Sequence, residues 1–358
     1  MLKLRRGVVV VADPLTLEVE GEERPAWADR SLVGDITEGD ELIVNTEALD
    51  LGLGSGGFDV VHVNLTRGLG DGQTTSSEHV IKLNYTSLQH AVEPVEVPLA
   101  GEGGAGASSP PVLVLPLHGH LAPACWAAAQ VSPRLRVGYV QTVGGALPGS
   151  LSRDVADLRE RGLLAGHVTA GPAYGGEHEA ISLVGALDAA VRRLSWQAIV
   201  CGPGPGILGS ITSYGHGGLA ALDSAHAALA LRLPTLLSPR LSSSDPRPRH
   251  RGLSHHTASV LELLLASVRI PVPEIDLEGW PTGTEGVEEV DLPSVLDALH
   301  EACDDRHDVA VERVDLEAYA ASGLPALAMG RTIAQDPLFF AAALAGGAGL
   351  AGAVRVKG

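Results

Sequence analysis

The stretch Ala198-Ile-Val-Cys-Gly-Pro-Gly-Pro-Gly206 joins a short apolar run to a glycine-rich segment, and a helix-period segment follows at about 217–232. A continuous apolar run of this length is typical of a strand buried on both faces. The same order recurs around it, with apolar runs at Val112–Leu115, Leu135–Val140, Gly166–Thr169 and Thr235–Leu237. Buried strands that alternate with helices predict an α/β fold, a mainly parallel doubly wound sheet with helices on both faces.

Helix-period segments fill the intervals between and after these runs. They predict helices at about 121–131, 150–162, 178–194, 217–232, 255–267, 294–303, 315–322 and 336–352. The acidic, Pro- and Gly-rich residues 272–293 predict a surface loop, and Leu324–Met329 predicts one further strand.

The first hundred residues have a different pattern, of short strands separated by turns. Strands are predicted at Gly7–Ala12, Leu15–Glu20, Glu41–Asn45, Asp59–Asn64 and His79–Tyr85. This spacing predicts a small barrel or sandwich. The glycines within 51–57 lack the preceding strand and following helix of a phosphate loop, which favours a flexible turn. We therefore predict a small all-β domain over 1–100, a Gly/Ser/Pro linker over 101–111 and the α/β domain over 112–358.

Charge and cysteine content limit the class of protein. Acidic side chains number 43 against 25 basic ones, for a net charge of -18, which argues against nucleic-acid binding. The three cysteines lie far apart, which predicts no disulfide framework and a cytoplasmic location. The uncharged, Ala- and Gly-rich segment 338–354 predicts a buried or interface helix rather than a membrane span, and we expect a homodimer.

Several segments that follow the predicted sheet strands are rich in glycine, histidine and small polar residues. They are 117–123, 141–148, 170–179, 202–218 and the residues after Ser238. In parallel sheets the ligand crevice lies beyond the carboxyl ends of the strands. The sequence therefore predicts that these loops meet at one edge and form one site.

Asp245–Thr257 concentrates arginine and histidine in an otherwise acidic chain. Arg247, Arg249 and Arg251 are predicted to clamp a carboxylate or phosphate, because guanidinium groups bind such anions bidentately. Salt bridges to the protein's own carboxylates, or a solvated charge run, are the alternatives. Gly204, Gly206 and Tyr214 are predicted to complete the ligand-binding residues, since a glycine-rich loop brings backbone N–H groups close to an anion.

Histidines supply the candidate metal ligands and proton carriers. His118, His120, His250 and His256 are predicted to bind a divalent metal, zinc or manganese, with His216 among the further imidazoles available. His118 and His255 are the candidate catalytic imidazoles, and Glu179 or Asp245 the candidate base. The alternative is that each histidine only bonds to loop backbone.

The chain also resembles a bacterial family of unknown function, domain of unknown function 3866. The motifs that carry the resemblance are Gly144–Pro148, Gly202–Gly206, Tyr214–Gly218, Asp245–Thr257, Met329–Arg331 and Asp336–Phe340. They span nearly the whole chain. The resemblance implies no established reaction or site residues, and it tilts the expected ligand towards nucleotide-related metabolites.

Together these patterns predict an enzyme that acts on a small anionic metabolite by metal-assisted hydrolysis. A non-catalytic ligand sensor or scaffold that uses the same crevice is the alternative. A structural oligomer built on the carboxyl-terminal helix is the third hypothesis.

Overall fold

A computed structural model describes residues 1–52, 56–70, 80–97, 109–274 and 291–355 of the chain. The chain divides into two compact units, Met1–Ala91 and Val92–Gly358. The linker predicted over 101–111 lies largely outside the described residues, so the predicted domain limits stay predictions.

The first unit contains a closed five-stranded barrel with the strand order β1-β2-β3-β5-β4. Its strands are β1 (Leu4–Ala12), β2 (Leu15–Val19), β3 (Glu22–Trp27), β4 (Glu41–Asn45) and β5 (Asp59–Asn64), followed by the short β6 (Val80–Lys82) and β7 (His90–Val92). Two short helices, α1 (Arg30–Val33) and α2 (Glu47–Asp50), lie between strands. Alternate residues such as Leu17 with Val19 and Leu42 with Val44 form the barrel core. The period-two pattern thus closes into a barrel.

The second unit is built on an eight-stranded sheet in the order β11-β10-β9-β12-β8-β13-β16-β17. Every pairing between neighbouring strands of this sheet is parallel, as predicted. The strands of this unit are β8 (Val112–Val114), β9 (Val137–Thr142), β10 (Gly166–Ala170), β11 (His178–Ala180), β12 (Ala198–Pro203), β13 (Thr235–Leu237), β14 (Leu241–Ser242), β15 (Gly252–Leu253), β16 (Arg269–Pro273), β17 (Asp308–Glu312), β18 (Leu327–Ala328) and β19 (Arg331–Thr332).

Helices cover both faces of the sheet. They are α3 (Leu121–Val131), α4 (Arg153–Glu160), α5 (Leu183–Arg192), α6 (Ala220–Ala230), α7 (His255–Leu263), α8 (Leu292–Cys303), α9 (Leu316–Ala320) and α10 (Pro337–Arg355). Alternate residues of the central strand β8 serve two separate cores: Val112 and Val114 pack with α5 to α8, and Leu113 packs with α3 and α10. The continuous apolar run is therefore buried on both faces, which gives the predicted doubly wound fold.

Three predicted elements differ from the observed ones. The helix predicted over 178–194 begins only at Leu183, because His178–Ala180 pairs with β10 and the Ser182 side chain caps the helix by accepting from the N–H of Gly185. Within the loop predicted over 272–293, Val272 and Pro273 end a sheet strand, and 275–290 lies outside the described residues. The strand predicted over Leu324–Met329 shortens to Leu327–Ala328 in a small hairpin with β19.

Helix α10 is long and apolar enough to cross a membrane by composition, with a mean hydropathy of 1.7 over Pro337–Val354. However, 83% of that window is buried inside the protein. A Cβ on Gly347 would collide with the carbonyl of Ala124 in α3, so glycine permits close contact of the two helices. This helix forms part of the core of the unit, as its small-residue composition predicts.

Candidate functional site

The loops that follow β8, β9 and β12 meet at the carboxyl edge of the sheet. The N–H of Ala146, after β9, donates to the carbonyl of Pro205, after β12, at 2.7 Å. A Cβ on Gly145 or Gly204 would collide with the backbone of the opposite loop, so both positions require glycine. Nδ1 of His118, in the helical turn His118–His120 after β8, lies 3.3 Å from the carbonyl of Pro203. These contacts join remote parts of the sequence at one edge, as predicted.

His118 and His120 have separate surroundings, so they do not form a shared pair. Nε2 of His118 is 2.7 Å from Oγ of Ser152 and 3.9 Å from the carboxylate of Asp154. Burial lowers the pKa of His118, whose two ring nitrogens both have protein partners. Nδ1 of His120 is 2.9 Å from Oγ of Ser238, beyond β13. The metal ligands predicted at 118 and 120 therefore face different neighbours.

Four imidazoles lie together on the loop after β12 and at the start of α7, and we call His216, His250, His255 and His256 the imidazole cluster. His216 stacks on His256 with ring centroids 3.8 Å apart, and His255 lies 4.4 Å from His256. His250 lies 4.8 Å from His255 and 4.7 Å from His256. The side chain of Ser254 caps α7 by accepting from the N–H of His256, and it also contacts Nδ1 of His250 at 2.8 Å. This cap fixes the start of the helix that carries two of the four rings.

Three members of the cluster have ring nitrogens close to one another. His216, His255 and His256 each offer one ligand atom, and these atoms lie within 4.8 Å of one another. Nδ1 of His216 and Nε2 of His255 and His256 are buried and have no hydrogen-bond partner among the described residues. Buried imidazole nitrogens normally have a partner, so this arrangement suits a metal ion.

The second nitrogen of each ring determines which nitrogen is available for a metal. Nε2 of His216 lies 2.9 Å from the carbonyl of Ser213, to which it donates, so Nδ1 keeps its lone pair. Nδ1 of His255 lies 3.3 Å from the carbonyl of Arg249 and donates likewise, which leaves Nε2 as a ligand. Such carbonyl contacts are the usual orienting partners of metal-binding histidines.

His256 differs from the other two candidate ligands. Its Nδ1 lies 3.3 Å from Nη1 of Arg240, a group that can only donate. Nδ1 is therefore the acceptor, and the ring hydrogen of the neutral imidazole lies on Nε2. Burial lowers the pKa of all three ligand histidines, of His256 to about 2, so they are neutral at physiological pH. Neutral imidazole is the form that binds metals.

Asp245 is fully buried and receives three guanidinium groups. Arg247 binds it bidentately at 2.9 and 2.8 Å, and Arg331 and Arg240 contact the same carboxylate at 3.3 and 3.4 Å. Burial alone would raise the pKa of Asp245, yet hydrogen bonds and the positive charges of Arg247 and Arg331 hold it well below its usual range. An ionised carboxylate bonded in this way is a weak base, so Asp245 is poorly suited to accept a proton.

The three predicted anion-binding arginines have different environments. Arg247 binds the carboxylate of Asp245, and the Nε of Arg251 donates to the backbone carbonyl of the same residue at 3.3 Å. Nε of Arg249 is buried and has no hydrogen-bond partner in the described part of the chain. Arg249 therefore has a donor that is available to a ligand.

The other predicted residues lie around or away from this site. Gly206 adopts φ +76 in an exposed turn, and Tyr214 is exposed with its hydroxyl 3.5 Å from Glu262. Glu179 lies on the edge strand β11, where its carboxylate accepts from Gly175 N–H at 2.6 Å and from the hydroxyl of Thr169 at 2.7 Å. These bonds hold the turn before β11.

Arg240 and Ser238 belong to the site but were not among the predicted site residues. Both follow β13, and Arg240 contacts His256 and Asp245 directly. The rule that ligand residues follow the carboxyl ends of parallel strands applies to them. Arg240 has no charged neighbour within four residues in sequence, so no local cluster of charge marks it.

Comparison with known protein families gives one match. A family model described as "Protein of unknown function (DUF3866)" matches residues 25–347. No curated protein and no solved structure gives a significant match to the chain.

Proposed function

This chain belongs to the DUF3866 family of unknown function, and from the geometry of its own residues we propose that it is a metal-dependent hydrolase of a small anionic metabolite. His216, His255 and His256 would hold the metal. The observation that carries the proposal is the proximity of three buried, neutral imidazole nitrogens that have no protein partner among the described residues.

The ligand set favours zinc over manganese. Imidazole nitrogens suit zinc, whereas manganese prefers oxygen ligands, and three histidines plus water is a common catalytic zinc set. Tetrahedral ligands at about 2.1 Å are roughly 3.4 Å apart, so nitrogens within 4.8 Å of one another need to approach each other. The stacked rings of His216 and His256 also need to rotate relative to each other to direct both nitrogens at one ion. When bound, zinc supplies Lewis acidity and a water molecule that ionises near neutral pH.

The protein residues orient these ligands and attract the substrate. The carbonyls of Ser213 and Arg249 fix the ring orientations of His216 and His255. The buried Nε of Arg249 offers a donor to a carboxylate or phosphate group. After burial, the positive charge of Arg240 is among the causes that lower the pKa of all three imidazoles, and this charge favours an anionic ligand.

The bonding of the two predicted base residues supports a second candidate function, a non-catalytic metal- and ligand-binding sensor. Both predicted general bases are bonded elsewhere, Asp245 to arginines and Glu179 to a turn. Hydrolysis would therefore depend on metal-activated water without a carboxylate base. Cytoplasmic location and a homodimer remain proposals, and light scattering of the purified protein decides the second.

Metal content and hydrolysis after reconstitution test the proposed function. Metal-free protein is loaded with zinc, desalted and assayed for bound metal, then for hydrolysis of panels of phosphate esters and carboxylate-bearing esters and amides. We expect one zinc per chain and its loss in His255→Ala. The matched control is His300→Ala, at an exposed histidine on α8.

Zinc retention with hydrolysis supports the enzyme, and zinc retention without turnover across the panels supports the sensor. Equal zinc content in the His255→Ala and His300→Ala variants would refute the three-histidine site.

A further inference from the structure

Arg240 is buried, with 3% of its surface exposed, and its backbone is fixed relative to α7. Its N–H donates to Oγ1 of Thr257 at 2.8 Å, and its carbonyl accepts from the N–H of Ser254 at 3.0 Å. Ser254 caps α7 and Thr257 lies in its first turn, so Arg240 and His256 have a defined relative position. The guanidinium is therefore a preformed part of the site wall.

The positive charge of Arg240 is incompletely compensated by its neighbours. Arg240, Arg247 and Arg331 share the carboxylate of Asp245. In the described part of the chain, Arg331 alone of the three contacts a second carboxylate, that of Asp336 at 3.0 Å. Arg240 makes the longest of the three contacts, and its buried Nε has no partner among the described residues. Burial lowers the pKa of Arg240 to about 10, so it stays charged at neutral pH. A buried charge with a missing partner favours binding of an anion.

A second buried polar atom belongs to His120, whose ring contacts Ser238, two residues before Arg240 in the chain. Nε2 of His120 is buried and has no hydrogen-bond partner within the described ranges, and the residue is fully enclosed. After burial, the charge of Arg240 is the next cause of the low pKa of His120. When the hydroxyl of Ser238 donates to Nδ1 of His120, Nε2 carries the ring hydrogen and is a donor to an anion.

The contact between Arg240 and His256 opposes metal binding. With Nη1 of Arg240 donating to Nδ1 of His256, the ring hydrogen lies on Nε2, the nitrogen assigned to the metal. Coordination through Nε2 places that hydrogen on Nδ1 instead, where it would face the N–H of Arg240. The two donors would then repel each other. An anion that accepts from Arg240 and draws Nη1 away removes this conflict.

We propose that Arg240 forms, with His120, a subsite for the carboxylate or phosphate group of the ligand, and that its occupation strengthens metal binding by releasing His256. This inference rests on the proposed function, since it takes the three-histidine set as the metal site. The ligand is then a small molecule with one anionic group on Arg240 and its reacting bond at the metal. Because coupling is reciprocal, the metal strengthens anion binding by the same factor.

Calorimetric measurement of zinc affinity tests the coupling, with sulfate as the anion probe because zinc sulfate is soluble. Zinc is added to metal-free protein in sodium sulfate and in sodium chloride of equal ionic strength, so that screening is matched. We expect sulfate to raise zinc affinity roughly tenfold in the wild type, within the usual range of coupling energies. The effect should vanish in Arg240→Met.

The matched control is Arg247→Met, because each of the two variants leaves Asp245 with two arginines. Arg247→Met should keep the sulfate effect. If Arg240→Met does not fold, Arg240→Lys replaces it, and the loss of the planar fork should reduce the sulfate effect at least threefold. Equal zinc affinity in sulfate and chloride for the wild type, or an undiminished sulfate effect in the variant at 240, overturns the proposal.

Stabilisation of the metal-free protein by sulfate separates the two possible failures. If zinc does not bind but sulfate raises the melting temperature of the wild type and not of Arg240→Met, the subsite stands and the metal site fails. If zinc binds but sulfate changes neither zinc affinity nor melting temperature, the metal site stands and the subsite is refuted.

Discussion

Replacing Asp245 by asparagine tests whether this carboxylate is structural. The substitution keeps the shape of the side chain and removes the charge that three guanidinium groups share. Removing one partner of a buried ion pair typically costs about 3–5 kcal/mol, because an uncompensated charge stays buried.

The distribution of exposure places the expected effect at the low end of that range. The side chain of Arg247 is 43% exposed, so water compensates much of its charge, and Arg331 keeps Asp336. Arg240, 3% exposed, retains no directly bonded carboxylate among the described residues. We therefore expect the free energy of unfolding to fall by about 3 kcal/mol.

Equilibrium unfolding in urea measures this change. At an m-value of about 3 kcal/mol per M, the midpoint should fall by roughly 1 M. Asp308→Asn is the matched control, since it removes one exposed ion pair with Arg269 and should cost about 0.5 kcal/mol or less. Because the pKa of Asp245 is depressed in the fold, its contribution is present above the unfolded value of about 3.9 and lost as the pH falls below it.

If the free energy of unfolding of Asp245→Asn lay within about 0.5 kcal/mol of the wild-type value, the structural role of Asp245 would be refuted. If that stable variant had also lost activity, Asp245 would again be a candidate base.

Two further predictions concern the core and its histidines. Gly347→Ala should lower the free energy of unfolding by about 2 kcal/mol, because its Cβ meets the carbonyl of Ala124. Gly352→Ala on the same helix meets no neighbouring atom and should raise it by up to about 1 kcal/mol. Equal melting temperatures of the two variants would contradict this. The pKa of His120 is about 3 in the fold, against about 6.5 unfolded, so its contribution is lost as the pH falls below 6.5. When the pH is lowered from 7 to 5, the free energy of unfolding measured in urea should fall by ~2 kcal/mol less for His120→Gln than for the wild type. An equal fall in the two proteins would contradict this.

The central strands could be predicted because their signal is local. Val112–Leu115 and Ala198–Cys201 are apolar without interruption, and such runs are buried on both faces. The edge strand Asp308–Glu312 has only three apolar residues, Val309–Val311, between two charged ones and was not predicted. His178–Ala180 was included in a helix because only its pairing with β10 makes it a strand. Prediction thus failed where pairing, rather than the segment's own composition, decides the structure.

The site could be predicted as a meeting of loops but not as a set of bonds. The sequence indicates that loops after parallel strands converge, and the bond between Ala146 and Pro205 shows two of them doing so. Which nitrogen of His216 is available depends on the carbonyl of Ser213, which only the fold brings into position. Arg331, which contacts Asp245, lies 86 residues away in sequence, so no local sequence pattern indicates the three-arginine environment.

Zinc K-edge X-ray absorption on the protein loaded with one equivalent of zinc tests the three-histidine site most directly. The structure predicts a shell of three imidazole nitrogens and one oxygen at about 2.0–2.1 Å, with the imidazole scattering reduced in His255→Ala and unchanged in His300→Ala. A sulfur shell near 2.3 Å, or zinc that is lost on desalting the wild type, would contradict the site.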